Sequence, residues 1–148
     1  MISKKTKYAL QATLRLAEKY ESGSPVLISE LSQTDKIPKK FLEQILLELK
    51  NKGILASKKG KGGGYLLAKS PDQISVGSIV RIIEGPLAPV PCVSQTAYRR
   101  CDECQDEMTC SIRWVMKQVR DSTAKILDGT TLQEMLERQE IPEAMYHI

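Results

Sequence analysis

The chain has 148 residues, 41% of them hydrophobic and 27% charged, with a net charge of +4. That length suits one domain with its own core, and the hydrophobic content argues against disorder. No apolar run approaches the ~20 residues of a membrane span, and the apolar stretch after the basic start is broken by Gln11, Thr13, Arg15 and Glu18, so a cytoplasmic protein is expected, not a membrane or secreted one.

Lys7 to Tyr20 reads as a helix, with Leu10, Leu14 and Ala17 on one stripe and Ala9, Ala12, Leu16 and Tyr20 widening it. Glu21 to Pro25 is turn composition. Ile28 to Thr34 predicts a short helix with Ile28 and Leu31 inward, and Asp35-Lys36-Ile37 a turn. Pro38 suits the first position of the next helix, which runs to about Asn51. Leu42, Ile45, Leu46 and Leu49 make its buried face. Lys40, Glu43, Gln44 and Leu47 project to the other side, flanked by Lys39, and Gly53 stops the helix. Two short helices joined by a tight turn, the second with a polar outer face, describe a helix-turn-helix.

Ile54 to Ala68 holds two apolar runs around a basic, glycine-rich turn, which predicts a β-hairpin. Gly62, Gly63 and Gly64 allow close backbone approach and positive φ, and Lys58, Lys59 and Lys61 charge the tip. A hairpin in this place is a wing, following the phosphate backbone while the helix enters the major groove. A nucleotide-binding loop is excluded because no Lys-Ser/Thr follows the glycines and no helix opens there. The charge distribution agrees: residues 1–70 hold 14 Lys/Arg against 6 Asp/Glu, and residues 71–148 hold 8 against 12. A basic front half is the footprint of nucleic-acid binding.

Ser75 caps a short helix with Val76, Ile79, Val80 and Ile83 as its apolar stripe, ended by Gly85-Pro86. From Pro86 to Cys110 no periodicity is seen, and so long a connection points to function. All four cysteines of the chain lie there or at its edge: Cys92, Cys101, Cys104 and Cys110. In reducing cytoplasm a thiol cluster on a loop suits a soft metal or an iron–sulfur centre. The single histidine, His147, excludes zinc sites built on paired histidines. A dithiol enzyme built on Cys101-x-x-Cys104 lacks the strand-to-helix setting such chemistry needs.

After Cys110, Ile112, Val115, Met116, Val119, Thr123, Ile126 and Leu127 recur at threes and fours. A helix of ~18 residues spans ~27 Å. It is too one-sided for a small monomer to cover, so it reads as a dimerisation helix ended by Asp128-Gly129. Thr131-x-x-Glu134 is a capping box opening a last helix with Leu132, Met135 and Leu136. Fold and organisation follow: mainly α with a small β-wing, residues 1–85 a winged helix-turn-helix, 86–110 a cysteine loop, 111–148 the dimerisation and C-terminal helices.

The run Lys61 to Ala68 after a helix-turn-helix, Phe41-Leu42-Glu43-Gln44 within it, and a cysteine loop before Arg113-Trp114-Val115-Met116 resemble the winged-helix iron–sulfur regulators related to IscR and NsrR. The likeness covers residues 1 to about 137. It implies a non-enzymatic regulator, a homodimer crossed by the long helix, on a two-fold double-stranded operator. It implies base contacts from Lys39, Lys40, Glu43 and Gln44, and backbone contacts from Lys58, Lys59, Gly60 and Lys61. Lysine can reach guanine, glutamine adenine and glutamate the cytosine amine.

The resemblance also implies three cysteine ligands, the last two separated by five residues, which Cys92, Cys104 and Cys110 match. This chain departs at the fourth ligand. The position of a ligand histidine is Arg113, and that of an acidic ligand near the N-terminus is Lys7. Cys101 completing an all-cysteine site is the simplest answer, with Asp102, Glu103, Asp106 or Glu107 as the alternative. The cluster expected is [2Fe–2S] in preference to [4Fe–4S]. A cluster-free regulator sensing through thiols, zinc or a partner protein is the competing function.

Overall fold

The computed structural model describes residues 2–139. Met1 lies outside the described residues, as do His147 and the rest of the stretch from residue 140 to the C-terminus.

Helix α1 spans Lys4–Glu18 and starts three residues earlier than the periodicity predicts. The reason is Ser3, whose hydroxyl accepts from the Thr6 amide at 3.2 Å and satisfies an orphan donor of the first turn. Its buried face is also turned from the expected one. Thr6, Ala9, Ala12, Thr13, Leu16 and Ala17 are buried, while Leu10 and Leu14 are only half-buried. Small residues fill the centre because α1 is packed on several sides, by the helices that follow and by the wing. Thr13 tolerates burial by donating back to the Ala9 carbonyl at 2.9 Å.

Helices α2 (Ile28–Asp35) and α3 (Lys39–Asn51) form the helix-turn-helix. Lys36 makes the turn in the left-handed region, φ +54°. The Ser32 hydroxyl donates to the Ile37 carbonyl at 2.7 Å, and Arg15 of α1 ion-pairs with Asp35 at 3.0 Å. Pro38 caps α3 from an extended backbone (ψ 130°) rather than occupying its first turn. Leu42, Ile45, Leu46 and Leu49 are fully buried in the single core.

Strands β1 (Leu55–Lys58) and β2 (Gly64–Leu67) pair antiparallel, with Leu55 opposite Leu67 and Lys58 opposite Gly64. Val26 adds a third edge, exchanging both backbone hydrogen bonds with Tyr65 at 2.8 and 2.9 Å. Helix α4 (Val76–Glu84) opens on the Ser75 cap and stops at Gly85, φ +92°. The 86–110 stretch carries one regular feature, a 3₁₀ turn at Pro91–Val93.

Helix α5 spans Ser111–Gly129 and α6 Leu132–Gln139. The helix ends where Asp128-Gly129 predicts: Gly129 is its last residue and Thr130 its extended C-cap. Asp128 is held by a two-pronged ion pair to Arg81 of α4, and the Thr130 hydroxyl donates to the Ile126 carbonyl at 2.7 Å, which finishes the last turn. The capping box forms: the Thr131 amide donates to Glu134, and the Glu134 amide to the Thr131 hydroxyl. Ser75 and Thr131 form a β-bridge, so α6 returns to the winged unit and buries Leu132 in its core.

Candidate nucleic-acid interface and thiol site

Lys39, Lys40, Glu43 and Gln44 are all exposed on α3, opposite its leucine face. Lys58, Lys59, Gly60 and Lys61 are all exposed on the hairpin. None of these seven side chains has a hydrogen bond or ion pair among the described residues. They form a polar, net basic surface with no internal use. Phe41 beside them is 45% exposed and rests edge-on against Tyr8.

Of the wing's three successive glycines, Gly62 and Gly64 take positive φ as expected. A Cβ at Gly63 would lie 2.3 Å from the Lys58 carbonyl oxygen, and one at Gly64 2.4 Å from that of Val26. Gly64 also has φ +141°. The close approach they permit is to the chain's own backbone, in the hairpin and in the bridge to Val26.

The cysteine loop doubles back on itself. The Arg99 amide donates to the Pro91 carbonyl at 3.2 Å, which brings the segment before Cys101 beside the turn holding Cys92. A tight turn joins Cys104 N–H to the Cys101 carbonyl at 3.1 Å. Arg100 donates to the carbonyls of Cys104 and Gln105, and Asp106 accepts from the Met108 amide and the Thr109 hydroxyl. Cys92 is buried, Cys101, Cys104 and Cys110 are half-buried, and all four are free thiols. Burial pushes the Cys101 thiol up, reinforced by the neighbouring Cys92 thiol and then by the charges of Glu103 and Cys104.

Cys110 is the N-cap of α5, its sulfur accepting from the Arg113 amide at 3.4 Å. Four thiols suit a soft metal centre in kind. Among the described residues, no three His, Cys, Asp or Glu side chains lie close enough to hold a metal ion as placed. A shared centre therefore needs Cys104 and Cys110 drawn in toward Cys92 and Cys101. Of the alternative carboxylates, Asp102 and Glu103 are exposed, Asp106 caps the loop, and Glu107 is occupied by Tyr98 and Arg113. Lys7 is exposed on α1.

Two arginines to which the sequence pattern assigns no role tie this loop to α5. Arg113 donates to the Cys92 carbonyl at 3.4 Å, and Arg120, two turns on, to the Val93 carbonyl at 2.8 Å. Their seven-residue spacing on one helix face was a signal available in the chain. At the far end of α5, Arg81 grips Asp128 at 2.5 and 2.9 Å, with hydrogen bonding from Arg81 holding the Asp128 carboxyl below its ordinary range. Gly77 makes room, since a Cβ there would lie 2.0 Å from the Asp128 oxygen.

Helix α5 buries no residue. Ile112, Val115, Val119 and Ile126 are 64, 43, 43 and 65% exposed, and with half-buried Met116 and Thr123 they make one stripe roughly 100° wide. Trp114, 66% exposed, lies on the opposite side of the helix and was not anticipated as a surface feature.

Comparison with known proteins follows the same lines. The family model Rrf2, described as an iron-dependent transcriptional regulator, matches residues 2–138. The chain is 46% identical over 138 residues to the rrf2-like protein of Rhodobacter capsulatus, covering 92% of each. The structure of CymR, the global cysteine regulator of B. subtilis, superposes with a TM-score of 0.77 at 30% identity, covering 93% of this chain and 97% of that one. The IscR of T. potens superposes with a TM-score of 0.74 at 28% identity, covering 99% and 96%.

Proposed function

The chain belongs to the Rrf2 family of transcriptional regulators, and from that premise we propose a homodimer whose affinity for a two-fold operator is set by an iron–sulfur cluster on Cys92, Cys101, Cys104 and Cys110. In this reading Lys39, Lys40, Glu43 and Gln44 face base edges, and Lys58, Lys59, Gly60 and Lys61 follow the phosphates. Ile112, Val115, Met116, Val119, Thr123 and Ile126 meet the same stripe of a second copy. A regulator acting on chromosomal DNA works in the cytoplasm, and no helix among the described residues is long and apolar enough to cross a membrane.

The observation that carries the reading is the doubled-back loop. It sets Cys101 against Cys92 at the junction between the winged head and α5. A bound cluster would supply a charged inorganic cross-link between thiolates far apart in sequence. Drawing Cys104 and Cys110 inward moves the 101–110 segment and the start of α5. Arg113 and Arg120 already couple that helix to the backbone at Cys92 and Val93. Both heads dock only when they lie about 34–36 Å apart, one turn of duplex, so a small shift of α5 changes affinity.

A cluster-free thiol regulator of the same fold is the second reading. It is favoured by the separation of the thiols as placed and by the likeness to a cysteine regulator. Protein purified without oxygen separates the two. Absorption beyond 400 nm with stoichiometric iron and sulfide supports the cluster, and the spectrum of the reduced protein tells [2Fe–2S] from [4Fe–4S]. Zinc alone, or no metal, supports the second reading.

A further inference from the structure

We infer that Arg113 is the positioning residue of the thiol site: it locks the buried end of the cysteine loop to α5, and its fixed positive charge would offset the thiolates of a loaded site. The charge half of this inference rests on the cluster reading; the locking half does not.

Arg113 touches both ends of the cysteine segment. Its side chain reaches the Cys92 carbonyl at 3.4 Å, and its own amide donates to the Cys110 sulfur, also at 3.4 Å. These two cysteines are the first and last of the four, eighteen residues apart in sequence. The guanidinium is half-buried, and its Nε is fully buried without a hydrogen-bond partner. Its ion pair with Glu107 is long, 3.9 Å, which is beyond hydrogen-bond reach. A buried cationic N–H with no acceptor carries a desolvation penalty that an acceptor would remove.

A loaded site would carry the negative charge of its thiolates, and Asp102, Glu103, Asp106 and Glu107 in the same segment add the same sign. Arg100 is exposed and engaged by the carbonyls of Cys104 and Gln105. Arg120 is engaged by Val93 and Asp121. Arg113 lies between Cys92, Cys110 and Glu107, and arginine stays protonated throughout the accessible pH range. Groups that hydrogen-bond metal ligands orient them and tune the centre.

The test uses the full chain with Arg113→Met and Arg113→Lys, purified without oxygen. Three quantities are read: the reduction potential of the loaded protein, the rate of iron loss to a chelator, and hydrogen exchange of the metal-free protein at the amides of Val93, Ser94 and Arg99. Those amides are held by the carbonyls of Val90 and Pro91. Exchange in α3 serves as the control for folding. Arg113→Met should lower the potential, speed iron loss about tenfold or more, and raise exchange at the three amides several-fold. Arg113→Lys should restore the potential while leaving exchange fast, because it keeps the charge but not the fork.

A methionine variant with wild-type potential and wild-type iron loss overturns the charge role. Unchanged exchange at the three amides overturns the lock. Wild-type protein that takes up no iron or sulfide overturns the cluster reading and the charge role together, and the exchange measurement still decides the lock.

Discussion

Cys92 is the most buried of the four thiols, and Cys101 is the one folded against it. If both are ligands, Cys92→Ala and Cys101→Ala should each abolish the chromophore, as should Cys104→Ala and Cys110→Ala. Visible absorption and iron content check this; a Cys101→Ala protein with full iron moves the fourth ligand to a carboxylate, of which Asp102 and Glu103, unlike Asp106 and Glu107, are engaged by no hydrogen bond or ion pair among the described residues. A second residue-scale effect lies away from the loop. Glu84 accepts from the Thr6 hydroxyl at 2.6 Å and the Ser3 amide at 2.7 Å. Hydrogen bonding from Ser3, then Thr6, lowers its pKa from 4.5 to about 2. A carboxylate depressed on folding stabilises the fold above its unfolded pKa and loses that contribution as pH falls through its folded one. Denaturant midpoints should therefore fall between pH 4.5 and about 2, and Glu84→Gln should flatten that slope; parallel profiles for the two proteins would contradict the assignment. At this scale the sequence named the thiols but not their supports. Arg113 and Arg120 share a helix face through their seven-residue spacing, but the backbone carbonyls they hold are not named by it, and Glu84 meets Ser3 only once α1 and α4 are packed.

The lysines of the wing and the apolar stripe of α5 are the surfaces with no internal use among the described residues. Replacing Lys58, Lys59 and Lys61 with Gln should weaken binding to every duplex and reduce the slope of log affinity against log salt by roughly 0.9 for each phosphate no longer neutralised. An unchanged slope would remove the wing from the interface. Val119→Asp, at the middle of the exposed α5 stripe, should convert a dimer to a monomer in analytical ultracentrifugation without loss of helicity. A dimer that survives it would place the contact elsewhere. The elements themselves were largely legible: the leucine period of α3, the glycine-rich hairpin, the Ser75 cap and the Thr131 capping box each rest on local chemistry. What was missed is tertiary. The buried face of α1 turned from Leu10 and Leu14 to Ala9 and Ala12 because several elements crowd it.

At the scale of the molecule, α5 is fastened at two places. Arg81 and Asp128 fix its end to the winged head, while Arg113 and Arg120 fix its first half to the cysteine loop. In the proposed dimer the loop could therefore act on the helix that would space the two heads, which is the physical content of a sensor in this architecture. The sequence placed the basic surface and the cysteine loop in separate stretches of the chain, from charge and cysteine positions alone. It could not expose that α6 returns to the core, since that depends on the bridge between Ser75 and Thr131. The most direct test is the affinity of anaerobically purified protein for a duplex it selects from a random library, measured before and after the metal is stripped by a chelator. We predict a change of about tenfold or more, equivalent to ~1.4 kcal/mol, reversed on reconstitution with iron and sulfide. Equal affinities in the loaded and stripped states would contradict control of DNA binding by the thiol site.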